Sequence, residues 1–217
     1  MTRAHLLIPL LAAAIGCATL STGCAERDGN VQARSTVTSA TDSRLELVQA
    51  KAEIGKAITD LQLIGNQGEL KQAYVAFSDD LAAVQSREKR VKSERERMEA
   101  DSQAYITRWQ ADAAQFSNDD LRRSSIERQA SVKKRFAEVT AGYRDLEAQY
   151  RPFITNMSEL QKSLSSDLTP AAVESVKPVI TTTVADGGKV QAQIDVVTGQ
   201  LDGLVSSLKT GAPDAAK

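Results

Sequence analysis

Histidine and cysteine are almost missing from this 217-residue chain, which holds one histidine and two cysteines. All three, His5, Cys17 and Cys24, fall at its N-terminal edge. Everything beyond Cys24 therefore lacks the side chains from which structural zinc sites are built. It also lacks a disulfide partner, even in an oxidising compartment, and an imidazole to serve as base for its many serines. A Ser–Lys pair stays open on residue type alone, yet no Gly-x-Ser-x-Gly elbow accompanies it. Gly187-Gly188 has no Gly-Lys-Ser/Thr continuation that would cradle a phosphate. Neighbouring carboxylates such as Asp79-Asp80 and Asp119-Asp120 would point about 100° apart on a helix. The expectation is no enzyme, no metal site and no bound cofactor other than covalent lipid.

Aromatic residues are also scarce, at 4% of the chain, and there are five prolines. That composition suits helices joined by slim Leu/Val/Ala seams. Charge of one sign is missing as well. Of 27 Lys+Arg only Arg3 lies before Cys24, which leaves 26 basic against 28 acidic residues after it. A nucleic-acid binder needs a basic face, and this balance argues against one.

What the chain does have is a leader. Arg3 gives a positive start, and about 16 residues from His5 to Leu20 are apolar apart from Thr19, short of the roughly 20 that a span needs. Leu20-Ser21-Thr22-Gly23-Cys24 then sets small residues directly before a cysteine, the pattern of a lipoprotein cleavage box. Residues 1–23 read as the signal peptide and Cys24 as the acylated first residue of the mature chain. Ala14-Ile15-Gly16-Cys17 is the alternative box. A diacylglycerol and a palmitate-type chain on Cys24 would hold the protein stably at a bilayer. Ala25, rather than an aspartate, follows the cysteine, which resembles lipoproteins sent to the outer membrane, facing the periplasm, where the host is Gram-negative.

Residues 24–40, rich in Ser, Thr and Ala, read as a flexible tether. Residues 41–210 carry helical periodicity, and 211–217 form a frayed tail. A first helix is expected over about 42–64, ended by Gly65-Asn66-Gln67-Gly68. Leu70, Tyr74, Phe77, Leu81 and Val84 alternate by four and three, and the register continues through Glu88, Val91, Arg95, Met98, Ser102, Tyr105 and Trp109 to Phe116. A repeat of that period sustained over many turns is a coiled-coil seam. A third helix keeps the same beat from Val132 to Leu164, with Pro152 inside it as an expected kink or missing hydrogen bond. Ser117-Asn118-Asp119-Asp120 supplies a cap and first-turn acids between the two. Thr169-Pro170 opens a fourth helix. Its register holds across Gly187, a point of weakness or of close approach, and Pro178 is a second weak point.

The expected fold is all-α: a long antiparallel coiled-coil hairpin, with two shorter helices completing a four-helix bundle at its base. The hairpin tip would be two helices thick, leaving Glu88, Arg95 and Ser102 partly wet on the seam. The tract Arg87–Asp101 holds six basic and five acidic residues. Interleaved signs favour a solvated helix face with ion pairs over a polyion-binding stripe. At the tip, Trp109, Phe116, Leu121, Arg122 and Arg123 form a candidate interaction cluster; the alternative is that they only hold the turn together.

Trp109 and the stretch Ser117-Asn118-Asp119-Asp120-Leu121-Arg122-Arg123-Ser124-Ser125 resemble a bacterial family, domain of unknown function 2959. The likeness in layout runs from Leu45 to Leu208. It implies a small exported helical protein with a lipoprotein leader and long coiled segments, and it implies no activity. Two functions remain open. A lipid-anchored structural or adaptor lipoprotein of the cell envelope would present its coiled coil to a protein partner or to itself. A periplasmic carrier or chaperone would hold an apolar ligand or client in the bundle. A roomy apolar cavity would favour the carrier and a dry, filled seam the adaptor.

Overall fold

The computed structural model describes residues 25–66 and 69–209. The leader, Cys24 and its alternative Cys17, and the tail 211–217 lie outside the described residues. Four helices account for nearly all of the rest: α1 (Ala25–Gly65), α2 (Leu70–Ala113), α3 (Asp119–Ser166) and α4 (Pro170–Lys209). No strand occurs among the described residues.

The starts of α3 and α4 follow the expected chemistry. Asn118 caps α3, its side-chain oxygen accepting from the amides of Asp120 (2.9 Å) and Leu121 (3.1 Å). Asp119 and Asp120 place negative charge at the positive end of the helix dipole. The Thr169 hydroxyl accepts from the Ala172 amide at 3.3 Å, with Pro170 at the first helical position, where its missing N–H costs nothing. Pro152 and Pro178 both sit inside unbroken helices.

The largest departure from expectation is at the N-terminal side. The segment expected to be a tether is helix from Ala25 onward. Its inward positions are Ala33, Thr36, Val37, Ser39, Ala40 and Ser43, of which Thr36, Ser39, Ala40 and Ser43 are buried. Short hydroxyl side chains are tolerated there because each finds a partner nearby. Thr36 Oγ1 lies 2.9 Å from the Gln32 carbonyl and 3.2 Å from that of Asp101, and Ser39 Oγ donates to the Thr36 carbonyl at 3.2 Å. The seam is thus periodic in small residues, where an apolar pattern is absent.

Packing runs around a ring. α1 lies against α2 and α4, α3 lies against α4, and α2 meets α3 least closely. Cross-helix pairs fix the antiparallel register: Ser35 with Asp101, Lys51 with Asp195 at 2.6 Å and Arg44 with Asp202 at 2.7 Å. Phe77, Leu81, Phe153, Met157, Leu61 and Leu201 are essentially buried in one continuous core. Gly187 is the close-approach point: a Cβ there would collide with the Ile58 side chain and meet Phe153 Cε2 at 2.9 Å.

The register also corrects the two-helix tip. With Ser35 beside Asp101, α1 continues past that level alongside the last turns of α2, and Ala33 packs on the core. α4 is the helix that falls short. A Cβ at Gly203 would sit 4.0 Å from Arg135, so Lys209 ends near the level of Gln129. The first part of α3, roughly two and a half turns, runs beyond it.

Candidate functional site

The loose α2–α3 contact leaves a cleft of about 370 Å³ midway along the bundle. Its floor is aliphatic: Leu47 and Ile54 from α1, Val84 and Val91 from α2, Leu146 from α3, and Val190 and Ile194 from α4. Each faces inward because its helix places it on the seam stripe. The mouth is polar. Glu88, Lys92 and Arg151 are exposed around it, while Arg95, Glu147 and Tyr150 form half-buried walls.

The wall residues hold one another. Arg95 approaches Glu147 and Glu99, each at 3.7 Å, and its guanidinium carbon lies 5.9 Å from the centre of the Tyr143 ring. Arg95 Nε is nevertheless buried and has no hydrogen-bond acceptor. Glu147 also pairs with Arg151, and those hydrogen bonds hold its carboxyl below the usual carboxylate range. Tyr150 donates to Glu88 at 3.3 Å. Burial first, and then the Glu88 charge, push its phenol well above the ordinary tyrosine range. Tyr143, beneath Arg95, is pushed up to about 12 by burial, against the opposing pull of its Ser43 hydrogen bond and the Arg95 charge.

A second depression, of about 520 Å³, continues along the same seam toward the α2–α3 turn, lined by Met98, Ser102, Gln110, Lys133 and Phe136. Of the polar seam residues, Glu88 and Arg95 line the first cleft and Ser102 the second. Ser102 is buried rather than wet, its hydroxyl 2.6 Å from the Met98 carbonyl.

The mixed-charge tract is only partly a solvated face. Glu94 pairs with Arg97 along the helix. Arg87 instead crosses to α1, where Nη1 meets Glu46 at 2.7 Å and Nη2 meets Glu53 at 2.6 Å, with Gln49 also in reach. Nothing in the sequence pattern of α2 alone distinguishes Arg87 from its exposed neighbours.

The expected tip cluster divides in two. Trp109 is half-buried, its indole N–H donating to Ser125 Oγ at 2.8 Å, with the Tyr105 ring tilted against it at 5.4 Å and Arg128 5.4 Å above the ring. Phe116 and Leu121 point outward, and Ile126, absent from the expected cluster, joins them; they are 40%, 59% and 53% exposed. Arg122 donates to the Phe116 carbonyl at 3.1 Å and pairs with Asp119, and Arg123 pairs with Asp120 at 3.3 Å. The cluster therefore carries no surplus charge.

No described helix is long and apolar enough to cross a membrane. Residues 19–207 match a family described as a protein of unknown function, DUF2959. No curated protein and no solved structure matches the chain.

Proposed function

The chain belongs to the DUF2959 family, and from that premise we propose that it is a lipid-anchored carrier of the cell envelope, holding an apolar or amphiphilic small molecule between α2 and α3. The observation that carries this reading is the aliphatic cleft. Its volume of about 370 Å³ lies within the range of small-molecule sites, and an apolar floor with a few converging polar groups is what such sites present. A filled seam would have favoured the adaptor. That alternative also relied on a thin tip, where α1 now supplies a third helix.

The polar groups narrow the ligand class. Arg95 Nε is buried with its nearest carboxylate, Glu99, at 3.7 Å, beyond hydrogen-bond distance, and Lys92 stands at the mouth. An amphiphile with an apolar tail on the floor and a carboxylate, phosphate or carbonyl group at the mouth would satisfy both. Acylation of Cys24 would keep the carrier at the bilayer where such molecules reside.

The test is titration with a neutral naphthylamine dye and with a fluorescent fatty acid. Saturable, blue-shifted binding is expected, weakened about tenfold or more by Val91→Phe, which fills the cleft with ring atoms. Replacing Arg95 by Leu should weaken the fatty acid more than the neutral dye. Wild-type protein that binds neither probe, or a Val91→Phe variant that binds both unchanged, would refute the carrier.

A further inference from the structure

We propose that the α2–α3 end of the bundle is a membrane-contacting foot, with Phe116, Leu121 and Ile126 entering the interface of the bilayer that holds acylated Cys24. The inference rests on the lipoprotein reading of Cys24, and it reverses the arrangement in which the hairpin tip reaches away from the membrane.

Three observations converge. First, α1 is helix from Ala25, the residue that follows Cys24 in the sequence, so the described helix leads from the bundle up to the position next to the acylated one. Second, the register places that end of α1 at the α2–α3 turn. From the Ser35–Asp101 pair, ten residues of α1 and twelve of α2 run in the same direction, about 15 and 18 Å of helix. The N-terminus of α1 and the C-terminus of α2 therefore finish within about a turn of each other. Third, this end exposes large apolar side chains on a segment that α4 stops short of covering.

A lipid surface fits the chemistry of the cluster. Phe116 lies in the turn, and Leu121 and Ile126 lie within about 10 Å of helix rise from the start of α3, the depth to which interfacial residues penetrate. Arg122 and Arg123 are balanced by Asp119 and Asp120, so the contact is apolar rather than a basic patch that selects anionic lipid. Arginine stems can lie along the apolar layer with their heads in the headgroup region.

The experiment uses full-length, acylated protein in phosphatidylcholine vesicles whose acyl chains carry a quencher. An environment-sensitive fluorophore is attached at Phe116→Cys, at Leu121→Cys, and at Glu69→Cys in the opposite turn. Acylation blocks the Cys24 thiol, so labelling is specific. Expected are blue-shifted emission and quenching about threefold stronger at 116 and 121 than at 69, insensitive to salt. Acylated protein that floats with the vesicles but shows water-like emission at 116 and 121 overturns the orientation alone. A blue shift that needs no vesicles and rises with protein concentration assigns these residues to a second copy, and overturns it too. Protein that neither floats nor carries an acyl mass on Cys24 removes the lipoprotein reading and the foot together.

Discussion

Ser43 and Tyr143 share a buried hydrogen bond of 2.6 Å that joins α1 to α3 across the core, between helices that are not neighbours in the ring. Replacing Tyr143 with Phe removes the tyrosine oxygen and strands the Ser43 hydroxyl. A loss of about 1–2 kcal/mol is expected from urea unfolding. The double variant, Ser43→Ala with Tyr143→Phe, should cost less than the two single losses added together.

The same tyrosine sets an alkaline limit. Its folded value, about 12, lies above the ordinary value of 10. Both states keep the proton below about pH 10, and above it the unfolded chain ionises first. Stability should therefore fall between about pH 10 and 12. Tyr150 and Tyr105 are raised in the same direction, mainly by burial, and add to the slope. Tyr143→Phe should flatten the dependence of the unfolding midpoint on pH across that window; an unchanged slope would count against the buried phenol.

Adjacent glycines in α4 should respond in opposite ways. Gly187→Ala drives a methyl group into Ile58 and Phe153, and a cost of about 1–3 kcal/mol is expected from overpacking. Gly188 faces open space, with nothing within 4 Å of a new Cβ. Gly188→Ala should stabilise by about 0.5–1 kcal/mol through helix propensity alone. Thermal melts of the two variants side by side decide the matter.

Arg87 clamps α1 to α2 through Glu46 and Glu53, with all three side chains less than one-fifth exposed. Removing it leaves two largely buried carboxylates side by side on α1, two turns apart, without their shared cation from α2. Arg87→Ala should cost about 1–3 kcal/mol. Arg87→Lys should restore only part of this, because a single ammonium cannot bridge both acids as the planar guanidinium does. Chemical denaturation of the two variants gives the comparison.

Cys24→Ser should release the protein from membranes into the soluble fraction after cell disruption. Undiminished membrane retention, with no acyl mass lost, would count against the anchor.

How legible the molecule is in its sequence depends on which residues carry the periodicity. Leu70 to Trp109 and Val132 to Leu164 keep one stripe made mostly of large apolar side chains, and α2 and α3 follow directly, whereas Phe116, expected on the same seam, lies past the end of α2 at Ala113 and is exposed. Asn118 and Thr169 announce their helices by capping chemistry, and Gly187 stays on the seam register because a larger residue would not fit. The first turns of α1 are different. Thr36 and Ser39 look like linker residues and Ser43 like a polar first-turn residue of the expected helix, and partners such as Asp101 and Tyr143 make Thr36 and Ser43 seam residues. Such partners, 65 and 100 positions away, leave no local trace.

The candidate cleft is half-legible. Glu88 and Arg95 interrupt the apolar beat, which marks a place where the seam cannot close. A thin tip would account for that interruption equally well from sequence. The actual cause is the wide spacing of α2 and α3, with α1 and α4 flooring the gap. Whether a polar seam residue means open solvent or a cleft wall depends on the position of helices not adjacent in sequence.

The unequal spacing of the four helices has a mechanical consequence. With α1–α2 and α3–α4 each joined by a short turn, and α1 packed on α4, the molecule is built like a book: the α1–α4 contact is the spine, and α2 and α3 are the fore-edges. Small rotations about that spine would widen the gap between the covers while leaving both hairpins intact. If the cleft holds a ligand as proposed, molecules of different girth would be accommodated by the angle of opening rather than by repacking the core.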